Sequence, residues 1–291
     1  MFVMESISLE AFFLDGKIVC VALMLISVIG CCANGLIVLT TVRSTNLHRP
    51  CNIFIALQAF SDIFIQVANI PFWYYAFTEQ LVTFYTCWKI NFIFASAMDF
   101  TSLMMFFIAL DRLMATTRPN FYRALNRPFY VGGVVACCLV YCAMFKCITY
   151  LSLTTELTLC LVAQAVTGIT EHIWLGCQTV VMFGILGIYC KLVTILKSAS
   201  IHEYQKINRS LNTIIVVNLF GWFSALLCCS VVFFLSPNHR VFLAFEMPMG
   251  VLANTNLCAP FFIYYDRSTI YRREFQKFLG IKSHRIVSST S

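Results

Sequence analysis

The chain has 291 residues, 60% of them hydrophobic and 11% charged, with a net charge of +7. A soluble domain carries about 25% charged residues, so this composition excludes an ordinary water-soluble globule and indicates an integral membrane protein. The positive charge falls between apolar runs rather than on one surface, which makes the lipid bilayer, and not nucleic acid, the expected partner. Fifteen cysteines would suggest a disulfide scaffold in a small secreted protein. Here Cys31, Cys32, Cys137, Cys138, Cys142, Cys228 and Cys229 lie inside apolar runs, where a thiol acts as a small hydrophobe. No metal-ligand spacing is present, and no metal is expected.

Residues 1–17 hold Glu5, Glu10 and Asp15 and no positive charge before Lys17. They offer neither the basic start nor the small-residue cleavage site of a signal peptide, so the first helix is expected to direct insertion. Apolar runs predict seven helical spans near 18–42, 51–76, 88–114, 129–150, 172–196, 210–235 and 241–265, an all-α membrane protein. Arg43, Arg49, Arg112, Arg118, Arg123, Arg127, Lys191, Lys197, Lys206 and Arg209 lie on one side with the basic tail. The other side has Lys17, Lys89, Lys146 and Arg240 among seven acids. Cytoplasmic loops carry the positive excess, so the amino terminus is expected outside and the tail inside.

The loop 151–171 alternates Thr and Leu around Cys160 and reads as strand-like, with a hairpin expected. The run 266–280 sets Tyr271, Phe275, Phe278 and Leu279 at helical spacing among basic residues, the pattern of an amphipathic helix on the inner membrane surface. The expected division is an extracellular 1–17, a seven-helix domain over 18–265, and a cytoplasmic amphipathic helix and tail over 266–291.

The third span is the most informative. Cys87 and Arg112 are 25 positions apart, roughly 37 Å at the rise of an α-helix, so one end must sit on each side of the bilayer. Pro119 follows the arginine by 7 residues and Tyr122 by 10. Taken alone, Asp111-Arg112 is a helix-end charge pair with a snorkelling arginine. Together, Cys87, Asp111-Arg112-Leu113, Pro119 and Tyr122 resemble the third helix of a rhodopsin-like G-protein-coupled receptor. The wording Ile108-Ala109-Leu110-Asp111-Arg112-Leu113 is similar to that of nematode serpentine chemoreceptors of class sx.

That resemblance implies a disulfide between Cys87 and Cys160, with Cys147 as a competitor and free thiols as the plain alternative. It implies that Asn34, Asp62, Thr101 and Asn256 form a polar cluster, which in the family can hold sodium or water. A hydrogen-bond network without an ion is an equal alternative. In the seventh helix, Asn256-Leu-Cys-Ala-Pro260-Phe-Phe-Ile-Tyr264 resembles the family's Asn-Pro-x-x-Tyr, with Ala259 at the asparagine position and Tyr264 one residue late. Tyr189, with Lys197 eight residues on, resembles the inner end of the fifth helix. The switch residues are therefore expected to be Asp111, Arg112, Tyr122, Tyr189, Pro260 and Tyr264. Glu203 is the only acid near the inner start of the sixth helix, and its spacing does not support a lock on Arg112.

Phe94, Met98, Asp99, Phe223 and Glu246 are the expected ligand-pocket residues. Asp99 lies 13 residues before Arg112, about 20 Å along the helix. One reading makes it a counter-charge for a cationic ligand; the plainer one bonds it to neighbouring Ser or Thr hydroxyls. The family's amine-binding aspartate falls at Phe94 here, so that role does not carry over. The implied function is a plasma-membrane chemosensory receptor, placed in the family at sensory cilia, that binds an outside ligand and activates a heterotrimeric G protein. A small transporter or channel is the alternative, disfavoured by the absence of repeats and of a path of intramembrane charges. An enzyme is not expected, since the five histidines lie in loops and at helix ends.

Overall fold

The computed structural model describes residues 8–198, 213, 217, 219–235 and 239–280. Helix α1 spans Leu9–Arg43, α2 Pro50–Val67, α3 Asn69–Phe77, α4 Phe84–Thr117, α5 Pro119–Ala124 and α6 Arg127–Leu151. Helix α7 spans Ile169–Ser198, α8 Ser224–Leu235, α9 His239–Arg267 and α10 Thr269–Phe278. Five of these stretches are long and apolar enough to cross a membrane: α1, α2 with α3, α4, α6 and α7 up to Ile195. The sixth crossing is α8, entered through a π-helical turn at Leu219–Phe223. The seventh is α9, whose 29 residues give roughly 43 Å of helix. Its two prolines, two asparagines and glutamate make it the least apolar of the set.

Several boundaries differ from the sequence expectation for local reasons. Ser8 accepts a hydrogen bond from the Ala11 amide and starts α1 nine residues before the predicted span. The second span is broken at Ala68, because Pro71 has no amide to give the carbonyl of Val67. Thr83 caps α4 by accepting from the Thr86 amide. The strand-like stretch of the 151–171 loop is shorter than expected and folds otherwise. Leu157–Thr158 pairs antiparallel with Val82–Thr83, which precedes α4, rather than with a second strand of its own loop. The run 210–218 of the expected sixth span lies mostly outside the described residues, as does Glu203.

The burial pattern inverts that of a soluble protein. Leu14, Ile18, Leu25, Val28, Val42, Phe129, Val140 and Val180 are exposed, while Asn34, Asp62, Gln66, Asn91, Asp99, Thr101, Ser102 and Gln178 are buried. In hydrocarbon the costly groups are the polar ones, so they turn inward to find partners and the aliphatic side chains face lipid. Helix α4 runs through the middle, packing on α2, α6 and α7, while α1 packs on both α2 and α9.

One apolar cluster, with Met98, Phe145, Trp174 and Trp222, fills much of the bundle's interior on the α7 side. Another, with Ile37, Leu47, Phe54, Met104 and Tyr264, surrounds the Arg112 end. Helix α10 caps that end with Ser268 accepting from the Tyr271 amide, and buries Tyr271 and Phe275 against it.

Candidate functional site

The candidate site has two parts, one at each end of α4. At the amino-terminal end, Cys87 and Cys160 form a disulfide with their Cα atoms 5.3 Å apart. Asn91, one turn along α4, donates to Cys160 Sγ at 3.1 Å, and its amide lies 3.5 Å from the carbonyl of Leu161. The loop is thus tied across the bundle mouth by a covalent bond and by polar contacts beside it. Cys147 is a free thiol.

Under this loop lies a cavity of about 120 Å³. The loop contributes Leu161, Val162 and Ala163. The helices contribute the rings of Phe72, Trp174 and Trp222, the side chain of Met98, and two carboxylates, Glu171 and Glu246. Of the expected pocket residues, Met98 and Glu246 line it. Phe94, Asp99 and Phe223 are not among its lining. Phe223 instead packs edge-to-face on Phe183, with ring centroids 5.5 Å apart.

Asp99 sits behind the cavity wall and is 1% exposed. Its Oδ1 accepts from the indole N–H of Trp174 at 2.7 Å, and its Oδ2 lies 3.6 Å from Lys146 Nζ. This corrects the expectation of serine or threonine partners. It also removes Asp99 as an open counter-charge, because α6 supplies the cation from within the chain. Ser102, one turn further, donates to Gln178 of α7 in a short hydrogen bond. Trp174 and Gln178 were not singled out from sequence, and Lys146 was read there only as one of the outer-side basic residues. Lys146 and Gln178 carried a usable signal, as polar residues within apolar runs.

Between the two ends the predicted polar cluster assembles. Thr101 Oγ1 donates to Asp62 Oδ1 at 2.8 Å, and Asn34 Nδ2 donates to the carbonyl of Leu257 at 3.2 Å. Asn34, Asp62 and Asn256 line a second cavity of about 40 Å³, together with Tyr189, Pro260 and Tyr264. The network extends further than sequence suggested: Gln66 reaches the carbonyl of Asn254, and Asn69 bonds both Ser27 and the side chain of Asn254. The helices approach closely here. A Cβ at Gly221 would lie 2.7 Å from the Cβ of Asn256, so only glycine lets the π-turn pack on α9.

At the Arg112 end the resting partner of Asp111 is not Arg112. Four ion pairs occur among the described residues, and none includes Arg112. Instead the Tyr122 hydroxyl donates to both carboxylate oxygens of Asp111, at 2.9 and 3.2 Å. Pro119 at the first position of α5 starts the short helix that brings Tyr122 back to α4. Burial and the neighbouring Asp111 carboxylate push the Tyr122 phenol up from its usual range, so at neutral pH it remains a donor. The groups acting on the Arg112 guanidinium include Cys51, Tyr264, Tyr189 and Asp111. Tyr264, although one residue late in its motif, is buried and stacks on Tyr271 with centroids 4.9 Å apart.

Residues 27–279 match the family described as serpentine type 7TM GPCR chemoreceptor Srsx. The chain is also 30% identical over 105 residues to trace amine-associated receptor 8c of Mus musculus, covering 33% of this chain and 28% of that protein. It is 31% identical over 98 residues to trace amine-associated receptor 6 of Rattus norvegicus, covering 31% of this chain and 26% of that one. The matched segment therefore spans under a third of the length of these curated relatives. A seven-helix bundle with polar residues turned inward, a disulfide at one end of α4 and Asp111-Arg112 at the other agrees with the match over most of its length: the chain belongs to the Srsx family of serpentine seven-transmembrane chemoreceptors.

Proposed function

We propose that the protein is a chemosensory receptor at the plasma membrane. It would bind a small ligand in the cavity beneath the Cys87–Cys160 loop and activate a heterotrimeric G protein through the Arg112 end. The observation that carries this reading is that one helix, α4, contributes to both ends. Met98 lines the cavity and Asp111, thirteen residues on, is held by Tyr122. A ligand with different affinity for two packings of this helix shifts the population of the Arg112 end as well. On this reading the disulfide end faces outside, which the distribution of basic residues supports.

Asp62, Thr101 and Asn34 are suited to hold a sodium ion. Asp62 and Asn34 bring hard oxygen donors to a small cavity, Thr101 bonds Asp62 beside it, and Asn34 Oδ1 is buried without a partner among the described residues. Such an ion would supply charge compensation for the buried Asp62 carboxylate, and the side chains would position it.

Two measurements test the reading. An epitope inserted at Leu125, between α5 and α6, should be stained only after cells are permeabilised. Membranes containing the chain and co-expressed G proteins should show nucleotide exchange above that of membranes lacking the chain. Staining of intact cells, or exchange at background with every G-protein class, would overturn it.

A further inference from the structure

The cavity at the disulfide end is chemically lopsided. Two carboxylates line it, Glu171 from α7 and Glu246 from α9, and its described lining contains no lysine, arginine or histidine. Gln164, 2% exposed and held in the disulfide-tied loop, donates to Glu246 Oε2. Glu246 Oε1 and the Glu171 carboxylate make no hydrogen bond or ion pair among the described residues. The two acids line the same cavity, and the Glu246 carboxylate is near enough to act on Glu171. Elsewhere in the bundle, Asp99 has Lys146 and Trp174, Asp62 has Thr101 and Asp111 has Tyr122. Among the described residues Glu246 has the neutral Gln164 donor and no cation, and Glu171 has neither.

The opposite wall adds an independent observation. Trp222 is 8% exposed, and its indole N–H is buried without an acceptor among the described residues. A buried donor left without a partner forfeits its hydrogen bond to water and calls for an acceptor. Trp174 and Phe72 complete an aromatic lining.

Taking the cavity as the ligand site proposed above, we infer that its ligand is a small organic ammonium ion with an aromatic or apolar body and a hydrogen-bond acceptor. Glu171 and Glu246 serve as its counter-charges from two different helices. An anion would add like charge to two half-buried carboxylates in a partly enclosed cavity, where Coulomb energies exceed those in open solvent. A neutral ligand would leave the acids facing each other. A cation relieves that repulsion and also gains from the faces of Trp174 and Trp222. Because its two counter-charges stand on α7 and α9, binding draws these helices together. That gives the ligand different affinities for two packings of the bundle.

The test uses the full-length chain purified in lipid nanodiscs and three probes of one shape: para-methoxybenzylamine, para-methoxybenzyl alcohol and para-methoxybenzoate. Binding is read by calorimetry, which does not depend on any G protein. The expected result is that the amine binds at least about ten-fold more tightly than the alcohol and that the benzoate does not bind. Glu171→Gln and Glu246→Gln, which keep volume and hydrogen-bonding capacity, should each erase the preference for the amine. Equal binding of amine and alcohol, a preference that survives both substitutions, or no binding of the amine at millimolar concentration overturns the inference. Ala253→Phe, which fills the cavity, separates this failure from failure of the cavity reading. If the amine binds the parent chain and Ala253→Phe alike, the site lies elsewhere and both readings fall. If Ala253→Phe abolishes binding of amine and alcohol that the parent bound equally, the cavity stands and only the charge assignment falls.

Discussion

The two ends of α4 are built by different means. From the disulfide end to its middle, α4 is fixed by a covalent bond between Cys87 and Cys160 and then by the buried Asp99–Lys146–Trp174 group. At the Arg112 end the fixings are the Tyr122 hydroxyl on Asp111 and ring stacking of Tyr264 on Tyr271. Breaking the first set exposes a buried charge or cuts a bond. Breaking the second costs one charge-assisted hydrogen bond and some ring contact. A helix anchored at one end and latched at the other can transmit a change at the anchored end as release of the latch. On the proposed function, the disulfide end holds the shape of the bundle and the Arg112 end switches.

Substitutions that break this contrast should rank by what they leave buried. Lys146→Met should have the largest effect, since Asp99 then keeps a buried carboxylate with only the Trp174 donor. Removing one partner of a buried pair costs about 3–5 kcal/mol. Thermal unfolding of the detergent-solubilised protein should show a large drop, and Lys146→Met with Asp99→Asn should recover much of it. An unchanged midpoint for the single variant would mean that the pair holds nothing.

Next comes Cys87→Ser, which removes a bridge of sequence separation 73 and should cost about 2–4 kcal/mol. Lower surface expression, with Cys160→Ser giving the same loss, checks it. Gly221→Ala should follow at about 1–3 kcal/mol, the usual cost of overpacking, because its Cβ would meet that of Asn256. Gly35→Ala, where an added Cβ has nothing within 4 Å, is the neutral control for the same unfolding assay. The smallest loss of stability belongs to Tyr122→Phe, which deletes hydrogen bonds to a charged acceptor worth about 1.5–3 kcal/mol in buried settings and less here, where the group is only partly buried. Its signature is functional: basal signalling rises, as it should in Asp111→Asn.

Much of this architecture was legible in the chain because hydrocarbon imposes simple rules. Apolar run length marks the spans, and the spacing of Cys87, Asp111-Arg112, Pro119 and Tyr122 marks the family. Asp62 and Thr101 were legible as two members of a four-residue polar cluster for the same reason, being polar residues that must face inward. Partner choice between helices was not legible. Asp99 could not be assigned to Lys146 and Trp174 from sequence, since those sit on α6 and α7 and the pairing depends on how the helices rotate in the bundle. The strand partner of Leu157–Thr158 was hidden likewise, because a two-residue strand has no periodicity to read. Adjacency in sequence also misled at Asp111 and Arg112. Neighbouring residues on a helix point about 100° apart, so the carboxylate turns to Tyr122 while the guanidinium comes under the influence of Cys51, Tyr264 and Tyr189.

The central claim is that the Arg112 end couples to a G protein and that Tyr122 restrains it. It is tested most directly by nucleotide exchange in membranes carrying the parent chain, Tyr122→Phe or Arg112→Ala at matched surface density. The account predicts basal exchange above the parent for Tyr122→Phe and none above background for Arg112→Ala. Exchange by Arg112→Ala equal to that of the parent would contradict it.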